Sequence, residues 1–397
     1  MATSSRPNDD IGARIRLHRE QRRRTQAVIA GLAGITTDYL GQIERGRKTP
    51  SAGVLRDLAT ALGVPVGALL GDVRAVVTPS GTPGEGLALA LMSTGKDPVD
   101  IDKLASRVER AWGIWQSSSH RYSELLPGLP ALIRDTEATS RALRRAPEHR
   151  RLAAIASDLY GLLRTVTRRI GRTDLSFVVA DRGLRAAEDA DDPVRLAVAR
   201  WNLGHTLLIS NEYGAAVELA LSAAEAIASD LGATGSALAM GGALNLVAAV
   251  AESRSGNSWG ARNRLNDVAS VAGDAKVAMN IGHTMFSPFN VGLHAVSIEL
   301  EAGDASEALR IADQLDACEC PSVERHYTFA LHLARAYELR REDTGTLLHL
   351  LNAERVAPED FSHDTNAREM VGRLLQSSRS ANRGQAAMLA ERLHLDV

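Results

Sequence analysis

Thr25-Gln26-Ala27-Val28-Ile29-Ala30-Gly31-Leu32-Ala33-Gly34-Ile35-Thr36-Thr37-Asp38-Tyr39-Leu40 is the stretch that decides how the N-terminal part of the chain folds. Its spacing predicts a short helix, a glycine at the turn, and a second helix capped by Thr36. Ile29, Ala30, Ala33, Ile35, Leu40 and Ile43 recur at helical spacing and predict a shared core. Ile11 and Ile15 join it from a preceding helix, and Leu55, Leu58 and Leu62 from a following one. Thr37, Asp38, Gly41 and Gln42 are left facing outward.

The rest of the chain is helical by composition. It has 397 residues, more than one typical domain, of which 45% are hydrophobic and 24% charged, ordinary values for a globular protein. Aromatic residues make up only 4% while alanine and leucine abound, which favours an all-α fold over a strand-rich core. Met1 to Asp10 contains no apolar stretch, and runs such as Leu87 to Met92 are too short to span a bilayer, so a cytoplasmic protein with no membrane partner is expected. The net charge of -2 is unevenly spread: residues 1 to 72 carry 11 Lys and Arg against 7 Asp and Glu, the remainder 35 against 41. A polyanion would dock at the positive end.

Catalytic and metal chemistry find no support. There is no G-x-S-x-G or H-E-x-x-H, and Gly95-Lys96 lacks the flanking residues of a phosphate loop, so the chain is not expected to be an enzyme. Cys318 and Cys320 are too few for a structural zinc site and are expected to be reduced thiols. The eleven histidines lack metal spacing, and neither metal nor cofactor is expected.

The chain is expected to divide into residues 9–74, a linker at 75–98, and a helical array at 99–397. Thr78-Pro79-Ser80-Gly81-Thr82-Pro83-Gly84-Glu85-Gly86 breaks the helical pattern at the boundary. Beyond it, second helices of successive hairpins are expected to start at Asp174, Tyr213, Ser258, Asp304, Thr344 and Asn382, about 38 to 46 residues apart. Residues 99 to 150, with Trp112, Trp115 and Leu129-Pro130, are expected to form a cap. Leu203, Gly204, Leu207, Tyr213, Ala216 and Ala223 stand at the spacing of the tetratricopeptide repeat, which this segment resembles. Around Trp259-Gly260-Ala261 and Gly303-Asp304-Ala305 the punctuation recurs with helices of other lengths, which makes the domain a tetratricopeptide-like α-solenoid.

The run through Gln42-Ile43-Glu44-Arg45-Gly46-Arg47-Lys48-Thr49-Pro50-Ser51 resembles the xenobiotic-response-element family of helix-turn-helix regulators, related to phage Cro and repressor domains, in a match that covers about 60 residues without a gap. The resemblance implies a five-helix domain whose second helix of the motif lies in the DNA major groove. Thr37, Asp38, Tyr39 and Gln42 would then face or flank base edges, Gln42 being the best single reader because an amide donates and accepts at once. Gln26, Thr36, Arg45, Arg47 and Lys48 match the family's phosphate-holding positions. Arg19 and Glu44 correspond to an internal ion pair. Arg22-Arg23-Arg24 departs from the pattern, occupying a turn where a glycine and an apolar residue are usual.

The pairing of this module with a helical array resembles the peptide-pheromone regulators of quorum-sensing bacteria. It implies a double-stranded operator, a homodimer, and a peptide or small signalling ligand held in a concave groove. Asn202, Asn245 and Asn290 are candidate clamps for a peptide backbone, with Asn202 at the position that resembles the clamp of peptide-binding repeats. His205, Phe286 and Phe289 are further candidates for the pocket. The alternative is a protein-interaction scaffold, or a ligand-independent developmental regulator, localised to DNA.

Overall fold

The computed structural model describes residues 7–21, 24–62, 69, 84, 86–93, 97–144, 147–273, 280–377 and 380–395. Every regular element among them is helical. The chain separates into two compact units, Met1–Thr82 and Pro83–Val397.

The first unit contains α1 (Pro7–Gln21), α2 (Gln26–Leu32), α3 (Thr37–Glu44) and α4 (Ala52–Leu62). Thr25 and Thr36 stand in extended backbone and cap α2 and α3, their hydroxyls accepting from the Val28 and Tyr39 amides at 3.3 and 3.2 Å. Gly34, at φ 67°, turns the chain between them. Ile15, Ile29, Ala30, Leu40, Ile43, Leu58 and Leu62 close the core, while Ile11 and Ile35 pack half-buried at its margin. Gly12 lets α1 press on the end of α3: a Cβ there would lie 2.1 Å from the Ile43 carbonyl oxygen. Of the expected fifth helix only Leu69 is described, helical and fully buried. Arg22 and Arg23 lie outside the described residues, as does most of the Thr78–Gly86 stretch.

The second unit opens with α5 (Leu87–Met92), α6 (Ile101–Ser117), α7 (Arg121–Leu125) and α8 (Leu129–Ala142). Five hairpins follow: α9 (His149–Arg169) with α10 (Thr173–Ala190), α11 (Pro193–Ile209) with α12 (Tyr213–Leu231), α13 (Gly235–Arg254) with α14 (Ser258–Ala272), α15 (Pro288–Glu301) with α16 (Ala305–Ala312), and α17 (Val323–Leu339) with α18 (Asp343–Val356). α19 (Pro358–His363) leads to α20 (Thr365–Ser377) and α21 (Ser380–Arg392). The second helices begin within two residues of the expected starts.

One turn chemistry repeats through all five hairpins. Gly171, Asn211, Gly256, Gly303 and Arg341 take positive φ, and the next amide reaches back to a carbonyl five residues earlier, as from Glu212 to Leu207 at 3.0 Å and from Asp304 to Glu299 at 2.9 Å. This Schellman closure satisfies orphan carbonyls at the end of each first helix and reverses the chain. Gly204 brings α11 against α13, where its Cβ would meet Val247 at 3.0 Å, and Ala216 and Ala223 of α12 are buried. α13 is long and apolar enough to cross a membrane, but 67% of its apolar window is buried inside the unit, as in a core helix.

One boundary differs from expectation. The stretch read as linker to residue 98 contains α5, whose Leu87, Ala90 and Leu91 share a core with Trp112, Trp115 and Leu129. In sequence Leu87 to Met92 is only a short apolar run next to the Thr78–Gly86 punctuation, but its Leu87, Ala90 and Leu91 are buried against α8 while Leu89 and Met92 stay exposed.

The cap joins the far end of the solenoid. Arg121, fully buried, pairs with Asp360 of α19, and the Glu359 carboxylate accepts from the Tyr122 amide at 2.7 Å. Arg169 meets Glu324 of α17 at 2.6 Å. Gln116 accepts from Asn280 at 3.0 Å, so α6 also touches the segment before α15.

Candidate nucleic-acid interface and ligand cavity

The outward face of α3 presents exposed Thr37 and Asp38 and half-buried Tyr39 and Gln42. Asp38 and Gln42 are four residues apart on one helical face, and the Gln42 amide nitrogen donates to Asp38 Oδ2 at 2.6 Å. One N–H is thereby committed, and the second N–H and Oε1 stay available for a paired donor and acceptor. Asp38 is thus placed to orient Gln42.

The loop after α3 is fixed by its backbone. Gly46, at φ 67°, donates to Ile43 O at 2.9 Å, and the Arg47 and Lys48 amides donate to Gln42 O at 2.9 and 3.3 Å. Arg45 folds its guanidinium over Gly41, whose Cβ would lie 3.2 Å from Nη1; Lys48 Nζ sits 5.3 Å from the Tyr39 ring centroid. Arg45, Arg47 and Lys48 are all exposed, a row of cations beside the face carrying Gln42.

Behind α3, Arg19 grips the buried Glu44 carboxylate at 2.7 and 2.9 Å, and Glu44 also accepts from the Gln26 amide at 2.7 Å. The Glu44 hydrogen bond raises the Arg19 pKa against the lowering effect of burial. The expected internal pair is present. Gln26 belongs to the same cluster, so only its second N–H and its carbonyl can turn outward. Thr36 is exposed and caps α3.

In the second unit the candidate ligand residues do not converge. Asn202 is buried with its amide spent internally: Oδ1 accepts from Arg164 Nε at 2.7 Å and Nδ2 donates to Val198 O at 3.1 Å. Asn245 likewise donates to Gly241 O at 2.8 Å and accepts from Arg264 at 3.1 Å. Asn290 is buried at the start of α15, donating to Thr284 O at 3.4 Å. Phe286 fills the core against Gly242, and Phe289 packs edge-on to Phe329, ring centroids 5.6 Å apart.

His205 alone of the six lines a cavity of about 40 Å³ in the second unit. Its wall includes Trp112, Trp115, Arg164, Arg168, Trp201, His283, Glu324 and Arg325. Trp112 stacks on His283 at 3.9 Å, and the Arg164 guanidinium lies 5.2 Å from the Trp201 ring centroid. Burial and the Arg168 charge lower the Arg164 pKa to about 9. Burial would raise the Glu324 carboxyl, but Arg169, Arg121 and Arg325 hold it well below the ordinary carboxylate range. Sequence reading missed these arginines because they sit one hairpin before and several after the asparagines it followed. Among the described residues no group of three His, Cys, Asp or Glu is placed to hold a metal.

A helix pair joined by a left-handed glycine, a capped second helix with an amide outward and a flanking cationic loop define a repressor-type helix-turn-helix domain. A helix-turn-helix domain family matches residues 10–75. The immunity repressor protein of Bacillus phage phi105 is 40% identical over 62 residues, 16% of this chain and 43% of that protein. The uncharacterized HTH-type transcriptional regulator YazB of Bacillus subtilis strain 168 is 42% identical over 53 residues, 13% of this chain and 77% of that protein. The chain belongs to the helix-turn-helix family of transcriptional regulators. It spans less than half the length of the phage repressor.

Among solved structures, Bacillus thuringiensis PlcR, in complex with the peptide PapR7 and DNA, shares 14% identity at a TM-score of 0.30, covering 66% of this chain and 94% of that one. The apo competence regulator ComR of Streptococcus vestibularis shares 14% at a TM-score of 0.29, covering 98% and 100%.

Proposed function

We propose that the chain is a cytoplasmic, sequence-specific regulator that reads a double-stranded operator with α3, acts as a homodimer, and senses a peptide or small signalling ligand through its helical-repeat unit. Gln42 reads a base edge, with Asp38 positioning its amide and Thr37 and Tyr39 flanking it. Arg45, Arg47 and Lys48, with Gln26 and the N-terminal end of α3 at Thr36, hold backbone phosphates.

The observation that carries this reading is the amide of Gln42, held at the outer face of α3 with a donor and an acceptor still open and a fixed row of cations beside it. Dimerisation follows from the two-fold sites that such modules read. The sensing role is supported by the cavity lined by His205, Arg164 and Arg325 in the helical-repeat unit.

Selection of bound fragments from a pool of genomic DNA tests the reading. A recovered site with two half-sites about one helical turn apart is expected. Recovery of fragments without a shared sequence would refute sequence-specific regulation.

A further inference from the structure

Three guanidiniums converge on the cavity of the second unit without a carboxylate of their own. Arg164 and Arg168 lie one turn apart on α9, and Arg325 comes from the first turn of α17. Among the described residues none of the three forms an ion pair within 4.0 Å, and the only carboxylate lining the cavity, Glu324, is taken by Arg169 at 2.6 Å.

Their donors are equally unspent. Arg164, 3% exposed, gives its Nε to Asn202 and leaves both Nη groups without a protein acceptor among the described residues. Arg168 donates to no described protein atom, and Arg325 makes one bond, to Thr284 O at 3.3 Å. Trp115 lines the same cavity fully buried, and its indole N–H, a donor only, has no partner.

Arg164 is buried, Arg325 half-buried and Arg168 exposed, so three like charges meet at the cavity with one of them held out of water and none compensated, and the natural remedy is a group of opposite sign. A neutral peptide bond brings as many donors as acceptors and leaves the charge where it was. An oxyanion brings acceptors and negative charge together, in the geometry that guanidinium forks match. The volume, about 40 Å³, is several times the ~10–15 Å³ that one ordered water needs, and suits a single such group.

We propose that this cavity binds the oxyanion of a small signalling molecule, a carboxylate or a phosphate, clamped by Arg164, Arg168 and Arg325 with the Trp115 indole N–H as a further donor. The proposal rests on reading the helical-repeat unit as the sensing part of the regulator. Because the clamp spans α6, α9 and α17, a bound anion favours the arrangement in which the cap, the first hairpin and the far hairpins stay together. A larger cleft of about 420 Å³ beside Glu338 and Arg373 makes no comparable demand, since those two charges already pair at 2.6 Å.

The test is calorimetric titration of the full-length protein with inorganic phosphate, acetate, N-acetyl-Ala-Ala and its C-terminal amide, at ionic strength matched with chloride. Saturable binding of phosphate alone assigns a phosphate ligand. Binding of acetate and the acid dipeptide, but not the amide, assigns a carboxylate. In either case Arg168→Gln and Arg325→Gln are expected to weaken binding about tenfold or more. Arg168→Gln keeps the fold because that side chain holds no described protein partner, and Arg185→Gln, in an exposed pair with Asp181, leaves binding unchanged. The proposal falls if no probe binds saturably, if acid and amide bind alike while phosphate does not bind, or if both arginine variants bind like wild type. Operator affinity with and without a bound probe is read separately: saturable binding that leaves it unchanged supports the anion site and removes the sensing role.

Discussion

Replacing Gly12 with alanine should destabilise the DNA-binding unit even though alanine is the better helix former. In an unobstructed helix the exchange gains up to about 1 kcal/mol. At position 12 the new methyl would sit 2.1 Å from the Ile43 carbonyl oxygen, where ordinary contact begins at 3.4 Å. A backbone oxygen cannot rotate away, so α1 must withdraw by more than 1 Å, loosening Ile15 and straining the Arg19–Glu44 pair two turns further along. Overpacking of this kind costs about 1–3 kcal/mol, and the loosened core leaves a net penalty of about 2 kcal/mol after the helical gain. Gly31→Ala is the matched control, because nothing lies within 4 Å of its added Cβ, and it should stabilise by up to about 1 kcal/mol. Hydrogen exchange followed by mass spectrometry on the full chain reads both. Amides of α3 should exchange about thirtyfold faster in Gly12→Ala, which corresponds to about 2 kcal/mol, and slower in Gly31→Ala. If both substitutions slow exchange alike, the close seating of α1 on α3 is wrong.

Three further outcomes follow from the same geometry. Burial holds His283 and His332 at pKa values of about 4 and His294 at about 3, with Arg325 charge adding to the effect for the last two. The unfolded chain therefore takes up protons first, and stability falls as pH drops from 6.5 toward 4, by up to about 1.4 kcal/mol per pH unit per histidine. His332→Asn should flatten the dependence of melting temperature on pH between 7 and 5.5, and an unchanged slope would count against a buried neutral imidazole. Phe286→Ala should cost about 3–5 kcal/mol in urea unfolding of the second unit, since the ring is 2% exposed against Gly242; a cost under about 1 kcal/mol would place the ring outside the core. Asp360→Ala strands the fully buried Arg121 guanidinium and should cost about 3–5 kcal/mol, with faster exchange in both α7 and α19; exchange changed in α19 alone would deny the closure.

What was legible in the sequence is what local chemistry dictates. Thr25, Gly34 and Thr36 announce α2 and α3 because caps and left-handed turns need those residue types, and four of the five hairpin reversals stand out because Gly171, Asn211, Gly256 and Gly303 sit at them, the fifth being turned by Arg341. The Asp38–Gln42 pair was present in the i, i+4 spacing, but Asp38 reads as a base-facing residue until the hydrogen bond is seen. Distant partners were not legible. Asn202 and Asn245 look like free amides, yet each is claimed by an arginine from another helix, Arg164 and Arg264. The anion clamp joins residues 164, 168 and 325, brought together only by the winding of the solenoid and by the closure at Arg121 and Asp360. α5 escaped notice because six apolar residues between glycines carry too little periodicity to separate a buried helix from a linker.

The central claim, that α3 and its loop are the working end of the protein, is tested most directly by operator binding of Gln42→Ala and Arg47→Ala across a salt series. The account predicts that Gln42→Ala costs about 1–3 kcal/mol on the preferred site and relaxes base preference at one position per half-site. Arg47→Ala should weaken all duplexes alike and make the salt dependence shallower by about one unit of slope for each phosphate it no longer neutralises. Binding in which neither substitution changes affinity, sequence preference or salt slope would contradict it.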